Sequence, residues 1–129
     1  MKHPTALRNT QADAFPTSVD AGSGAGTVEL YTGATDGAGT LLATFTLSDP
    51  SFGSASTGVA TANSLPKATT GAATGTIGHA EIKDSAGTLR GSTADVGTSG
   101  TQVVVSTLSV VSGQPLSLTG LTYTIAAGT

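Results

Sequence analysis

His79 and Glu81 are the residues of this 129-residue chain whose types and spacing come nearest to chemistry. They stand two positions apart in a segment that alternates like a strand, so they share one face and could reach one metal ion. A zinc site needs a third and usually a fourth ligand. His3 is the only other histidine, and the chain has no cysteine. The pair is therefore expected on a solvated face beside Lys83, with Ala80 and Ile82 turned inward. The eight carboxylates are spread singly, and none has the paired setting of general acid–base work. No G-x-S-x-G elbow, phosphate loop, H-E-x-x-H helix or calcium loop occurs. Hydroxyl residues are so abundant that any Ser/His/Asp triad drawn from them would be coincidence. The expectation is a chain with no catalysis, no cofactor and no metal.

What must position these residues is a sheet. The stretch 101–127, TQVVVSTLSVVSGQPLSLTGLTYTIAA, is the longest that is both apolar and rich in strand formers. Val103 and Val105 occupy one phase, and Leu108 and Val110 the other. After the turn Ser112-Gly113-Gln114-Pro115, Leu116 and Leu118 alternate with polar residues. Gly120 then shifts the phase to Leu121, Tyr123 and Ile125. Period-two alternation around a Gly/Pro turn predicts two half-buried strands, and the slip at Gly120 predicts a β-bulge. These strands should form the centre of a sheet. Earlier in the chain, Val28 and Leu30, then Leu41, Ala43, Phe45 and Leu47, predict a hairpin over 27–48 around Asp36-Gly37. Residues 58–63 predict a short strand. The Ala/Thr/Gly-rich stretch that follows predicts a long loop or an edge strand. Residues 76–83 and 88–96 predict a pair joined by the tight turn Asp84-Ser85-Ala86-Gly87.

The sum is an all-β sandwich or jelly-roll-like domain over 26–129, of seven to eight short antiparallel strands. Its core is predicted to hold Phe45, Ile82, Val103, Val105, Leu118 and Ile125. That core is thin. Only 4% of residues are aromatic, and the chain carries 24 Thr, 19 Ala, 18 Gly and 14 Ser. Thr suits a pleated surface, and Gly and Ser supply turns.

Residues 4–15, PTALRNTQADAF, predict one short helix, with Pro4 in its first turn and Leu7, Gln11, Ala14 and Phe15 on one face. Pro16 is expected to stop it. The Gly-rich run 20–26 behind it reads as a tether, so residues 1–25 are expected to act as an arm or latch with Leu7 and Phe15 as its interface anchors.

Charge excludes several functions. Charged residues make up 10% of the chain, with a net charge of −3. Five scattered basic residues form no nucleic-acid footprint. No apolar run approaches a membrane span of about 18 residues, and the start, MKHPTALR, lacks the apolar region of a secretory signal. The expectation is synthesis in the cytoplasm without nucleic-acid or membrane partners. So sparse a charge also suggests that much of the surface is covered by partner molecules.

Read together, ALRNTQADAF, the Gly-rich link into GTVELYTG, then LLATFTLSDPSFG, GVATAN, DSAGT and VGTSGTQVVVSTLSVVSGQPLSLTGLTYTI resemble a family of small β-rich virion structural proteins of tailed bacteriophages and prophages. The resemblance spans nearly the whole chain and is most specific over 26–33, 40–53 and 84–112. It implies a virion protein, first a capsid decoration (cement) protein that binds the major capsid protein or other virion proteins as a symmetric homo-oligomer, a trimer or a ring. A small tail, fibre-base or head–tail connector component is the alternative. A carbohydrate-binding adhesion module ranks third, because exposed aromatic residues are few.

Overall fold

The computed structural model describes residues 1–125, so positions 126 and 127 of the C-terminal stretch lie outside the described residues, as do 128 and 129 of the expected domain. The fold is all-β with one N-terminal helix, α1 (Thr5–Val19). Among the described residues eleven strands follow rather than seven to eight, because three expected strands are each broken in two, at Ile77-Gly78, Ala94-Asp95 and 106–108, and 67–70 forms a strand of its own: β1 (Thr27–Tyr31), β2 (Leu41–Thr46), β3 (Val59–Thr61), β4 (Lys67–Thr70), β5 (Gly75–Thr76), β6 (His79–Lys83), β7 (Leu89–Thr93), β8 (Val96–Gly97), β9 (Val103–Val105), β10 (Ser109–Val110) and β11 (Pro115–Thr124). Among the described residues no helix is long and apolar enough to cross a membrane.

One sheet has the order β2-β1-β6-β7 and is antiparallel throughout. In the other, β11 is the axis. β9 pairs with one of its edges, while β4 and β3 lie end to end along the opposite edge, on Pro115–Leu118 and Thr122–Thr124 respectively. β8 joins β9 in parallel, the one departure from the expected antiparallel pattern among these pairs. A two-stranded ladder of β5 and β10 completes the described sheets.

The two large sheets share one core, as the alternation requires. Val28 and Leu30 pair with Phe45 and Ala43, and all four are buried. Val103, Val105, Leu118 and Leu121 answer from the other sheet. The register of β9 on β11 slips between Leu118 and Gly120, where the phase change predicted a bulge. Of the six predicted core residues, Phe45, Ile82, Val103, Val105 and Leu118 are buried. Ile125 is only half-buried, because it follows the last β11 pair and its backbone bonds to Gly58 instead.

The helix differs from expectation in length and in face. Pro16 does not end it. The helix runs through Pro16 to Val19 and closes with the Asp20 amide on the Pro16 carbonyl at 3.0 Å. A proline inside a helix removes one backbone bond and crowds the preceding turn. Here it lies within one turn of the end and is buried, so packing outweighs that cost. The buried face carries Ala12, Pro16 and Val19, with Phe15 packed against the core, whereas Leu7 and Ala14 point away. Docking is also polar. Arg8 donates to the carbonyls of Ile125 and Thr57, Asn9 accepts from the Gly58 amide, and Asp13 and Asp20 accept from the amides of Ala55 and Ser51.

The site gripped by Arg8 and Asn9 is a two-residue turn. Ser56 and Val59 exchange backbone bonds at 2.9 Å, and Thr57 and Gly58 have φ of 50° and 79°. Positive φ at both central positions is a type I′ turn, which favours Asn-Gly, and a β-branched residue is out of place there. Thr57→Asn is expected to stabilise the domain by about 1 kcal/mol, read as a raised denaturation midpoint. Leu118→Ala, at the crossing of β11 with β4 and β9, is expected to cost about 2–5 kcal/mol in the same assay. A loss below about 1 kcal/mol would show that Leu118 is not part of a close-packed core.

Candidate functional site

The ionisable groups converge on the outer face of the first sheet. Antiparallel pairing sets Tyr31 opposite His79, Glu29 opposite Glu81 and Thr27 opposite Lys83. Ala80 and Ile82 face the core as expected, but His79 and Glu81 are not on a solvated face. Their exposures are 1% and 5%. The cover is the 32–40 loop between β1 and β2. Its Gly33 carbonyl takes a hydrogen bond from His79 Nδ1, and its Gly37 amide donates to Glu81 Oε2 at 3.0 Å.

The cluster is internally complete. His79 Nε2 lies 2.8 Å from Glu81 Oε2, and the Tyr31 ring stacks on the imidazole with centroids 5.2 Å apart and planes 12° from parallel. Glu29 accepts from Tyr31 Oη at 2.7 Å and pairs with Lys83, whose ammonium is also 3.7 Å from Glu81 Oε1. Burial opposes a charged imidazole, yet the hydrogen bonds to Glu81 and Gly33 outweigh it and raise the pKa of His79. Burial pushes Glu81 up, but the Gly37 amide, His79 and Lys83 bring it below the ordinary carboxylate value. The hydrogen bond to Glu29 holds the Lys83 ammonium charged well above the usual lysine range. Burial and Glu29 together raise the Tyr31 phenol.

Chemically this is a closed network. A general base or metal ligand needs a free nitrogen lone pair, and both ring nitrogens of His79 already face acceptor oxygens. The described residues contain no group of three His, Cys, Asp or Glu side chains able to hold a metal ion. Sequence reasoning put His79, Glu81 and Lys83 on one face but missed Glu29 and Tyr31 as their partners. The usable signal was the register of β1 on β6, which puts six polar or amphipathic side chains on one face.

A second feature is a cleft of about 280 Å³ between the sheets. Ile82, Val103 and Leu121 line it with Phe15 and Tyr123, whose rings lie 4.8 Å apart. Its volume is just below the roughly 300 Å³ at which small-molecule pockets begin. Arg90 at its mouth is already paired with Asp84. Of the two predicted anchors, Phe15 is thus an internal wall against Phe52 and Tyr123, and only Leu7, 42% exposed, presents itself outward.

Asp84 closes the β6–β7 turn. Its carboxylate accepts from the amides of Thr88 and Ala86 and from Arg90. The Thr88 amide, and then Arg90 and Ala86, hold its pKa below the usual value. A carboxylate so depressed adds stability above its ordinary pKa and loses it as pH falls through the lowered one. Asp84→Asn is expected to lower the melting temperature at pH 7, with the gap to the parent narrowing steadily below about pH 4. A gap of constant size down to pH 2 would show that the charge of Asp84 contributes nothing.

No family model matches the chain, and neither a curated protein nor a solved structure matches it.

Proposed function

We propose that this chain is a structural protein of a bacteriophage virion, and specifically a capsid decoration protein that attaches as symmetric copies to the major capsid protein. The observation that carries the reading is where its few charges go. Arg8, Asp13 and Asp20 hold the helix to its own domain, Glu29, Glu81 and Lys83 interlock on the first sheet, and Asp84 takes Arg90. Lys2, Asp36, Asp49 and Asp95 remain exposed, and much of the rest of the exterior is hydroxyl and methyl groups, such as those of Thr46, Thr61, Ala68, Thr70 and Thr124. Burying charge at an interface is costly unless it is paired, whereas a neutral Thr/Ala surface can be covered at little desolvation cost. Such a surface suits a protein whose working state is contact with many neighbours, and closed point symmetry is the usual form of that contact. The resemblance of its segments to small virion proteins supports the same setting, and the closed His79 network favours a structural over a catalytic role.

Electron microscopy of purified particles from the phage or prophage that carries this gene tests the reading. The expected result is density repeated at symmetric positions over the head, with Leu7→Asp reducing occupancy while the isolated domain melts within about 0.5 kcal/mol of the parent, as surface substitutions do. A few copies at one end of the tail would replace decoration by a tail or connector role. Absence from particles would end the virion reading.

A further inference from the structure

We propose that His79 and Glu81 form a proton-operated clamp: one proton held between His79 Nε2 and Glu81 fastens the 32–40 loop onto the outer face of β6, and loss of that proton frees the loop. The inference is independent of the virion reading.

The geometry demands that proton. Nδ1 faces the Gly33 carbonyl, an acceptor only, so it must carry a hydrogen. A neutral imidazole has no second hydrogen to give. Nε2 nevertheless stands 2.8 Å from Glu81 Oε2, and without a proton there a lone pair would face a carboxylate in a buried site. The same Oε2 receives the Gly37 amide at 3.0 Å. Gly33 and Gly37 are thus held by the two partners of one pair; neither loop bond uses the Nε2 proton, but its loss sets a lone pair against the carboxylate, and the partner that turns away takes its loop bond with it. The loop has a separate stem, in which the Thr32 amide bonds the Thr40 carbonyl at 3.1 Å and the Thr40 amide bonds Thr32 Oγ1 at 2.9 Å. Release then swings residues 33–39 without unpairing β1 from β2. The loop is also one wall of a cleft, with Ala34, Thr35 and Asp36 on its side and His79, Ser92 and Thr93 on the strand side. Freeing the loop widens that cleft.

Every group facing His79 bears on the proton. Glu81 and Lys83 come from β6, Glu29 and Tyr31 from β1, and Asp36 from the loop, while β7 offers only the uncharged Ser92 and Thr93. Glu81 and Asp36 favour the cation, and Lys83 is paired with Glu29. Burial works against the charged imidazole, but the bonds to Glu81 and Gly33 raise its pKa, whereas that of Glu81 is lowered. The signs follow from linkage. The clamp is complete above the ordinary glutamate range and below the ordinary histidine value of about 6.5. It weakens as pH rises through the raised value of His79, and separately as pH falls through the lowered value of Glu81.

Nitrogen-15 NMR of the full chain tests this, with His3→Asn identifying the second imidazole. At about pH 6, below the ordinary histidine value, both ring nitrogens of His79 are expected to be protonated. On raising the pH, the Gly33 and Gly37 amide signals should move with the same midpoint as His79, above about 6.5. Glu81→Gln, similar in shape, should lower that midpoint and abolish the coupled loop response. A parent His79 that is neutral at about pH 6, loop amides that ignore its titration, or a midpoint unchanged in Glu81→Gln would each overturn the clamp. The parent titration alone decides the matter if the variant fails to fold.

Discussion

β11 satisfies backbone groups on both of its edges, and the second sheet is assembled from strands that attach to it. β9 alone carries β8, and β3 and β4 share the opposite edge without pairing to each other. A buried strand must have its amides and carbonyls bonded, so three short partners along one ten-residue strand meet a requirement that none could meet alone. Leu116, Leu118 and Leu121 follow from the same constraint. They point inward because alternation along β11 puts Leu116 and Leu118 on the core face and the slip at Gly120 returns Leu121 to it. The core of the first sheet then has a surface to close against.

Because large side chains are scarce, the fold relies on polar closure as well as on burial. The helix contributes Ala12 and Val19 to the interior, but Arg8, Asn9, Asp13 and Asp20 fix its position through backbone groups of the segments it covers. The outer face of the first sheet is sealed in the same way, by a Gly-rich loop tied to a buried ion pair. Buried charge is weak evidence for stability but is well suited to specifying one arrangement over others. In both places, directional bonds do what bulky apolar contacts do in a thicker core.

Alternation made the strands and most of the core legible in the sequence. Val103, Val105 and Leu118 were found by phase alone, and Gly120 by the break in it. The same reasoning gave His79 and Glu81 the correct face and the wrong environment. Period two reports which side of a sheet a residue takes, not what later folds over it. Their cover is made by the backbone of Gly33 and Gly37, which leaves no side-chain pattern to read. Pro16 failed as a stop signal for a related reason. Local preference opposed the helix by one turn, and a docking surface supplied by residues 51–58 prevailed. Phe15 was legible as an anchor, but its partners Phe52 and Tyr123 lie on distant segments. Leu7 was identified from its size, and its outward orientation follows from the face that the polar bonds select.

The position of β11 in the order of synthesis has a cost of its own. β3, β4 and β9 all emerge from the ribosome before the strand they pair with. In the first sheet β1 meets β2 at once and β6 meets β7 at once, but β1 must wait for β6 until the chain reaches 79–83, and β3 must wait for more than fifty residues of further chain. Non-local pairing of this kind slows folding and leaves strand edges unpaired in the interval. The nascent chain therefore carries two local hairpins beside open Ala/Thr-rich edges. Those edges bear little charge, so like-charge repulsion does little to oppose their pairing with another copy while they stand open.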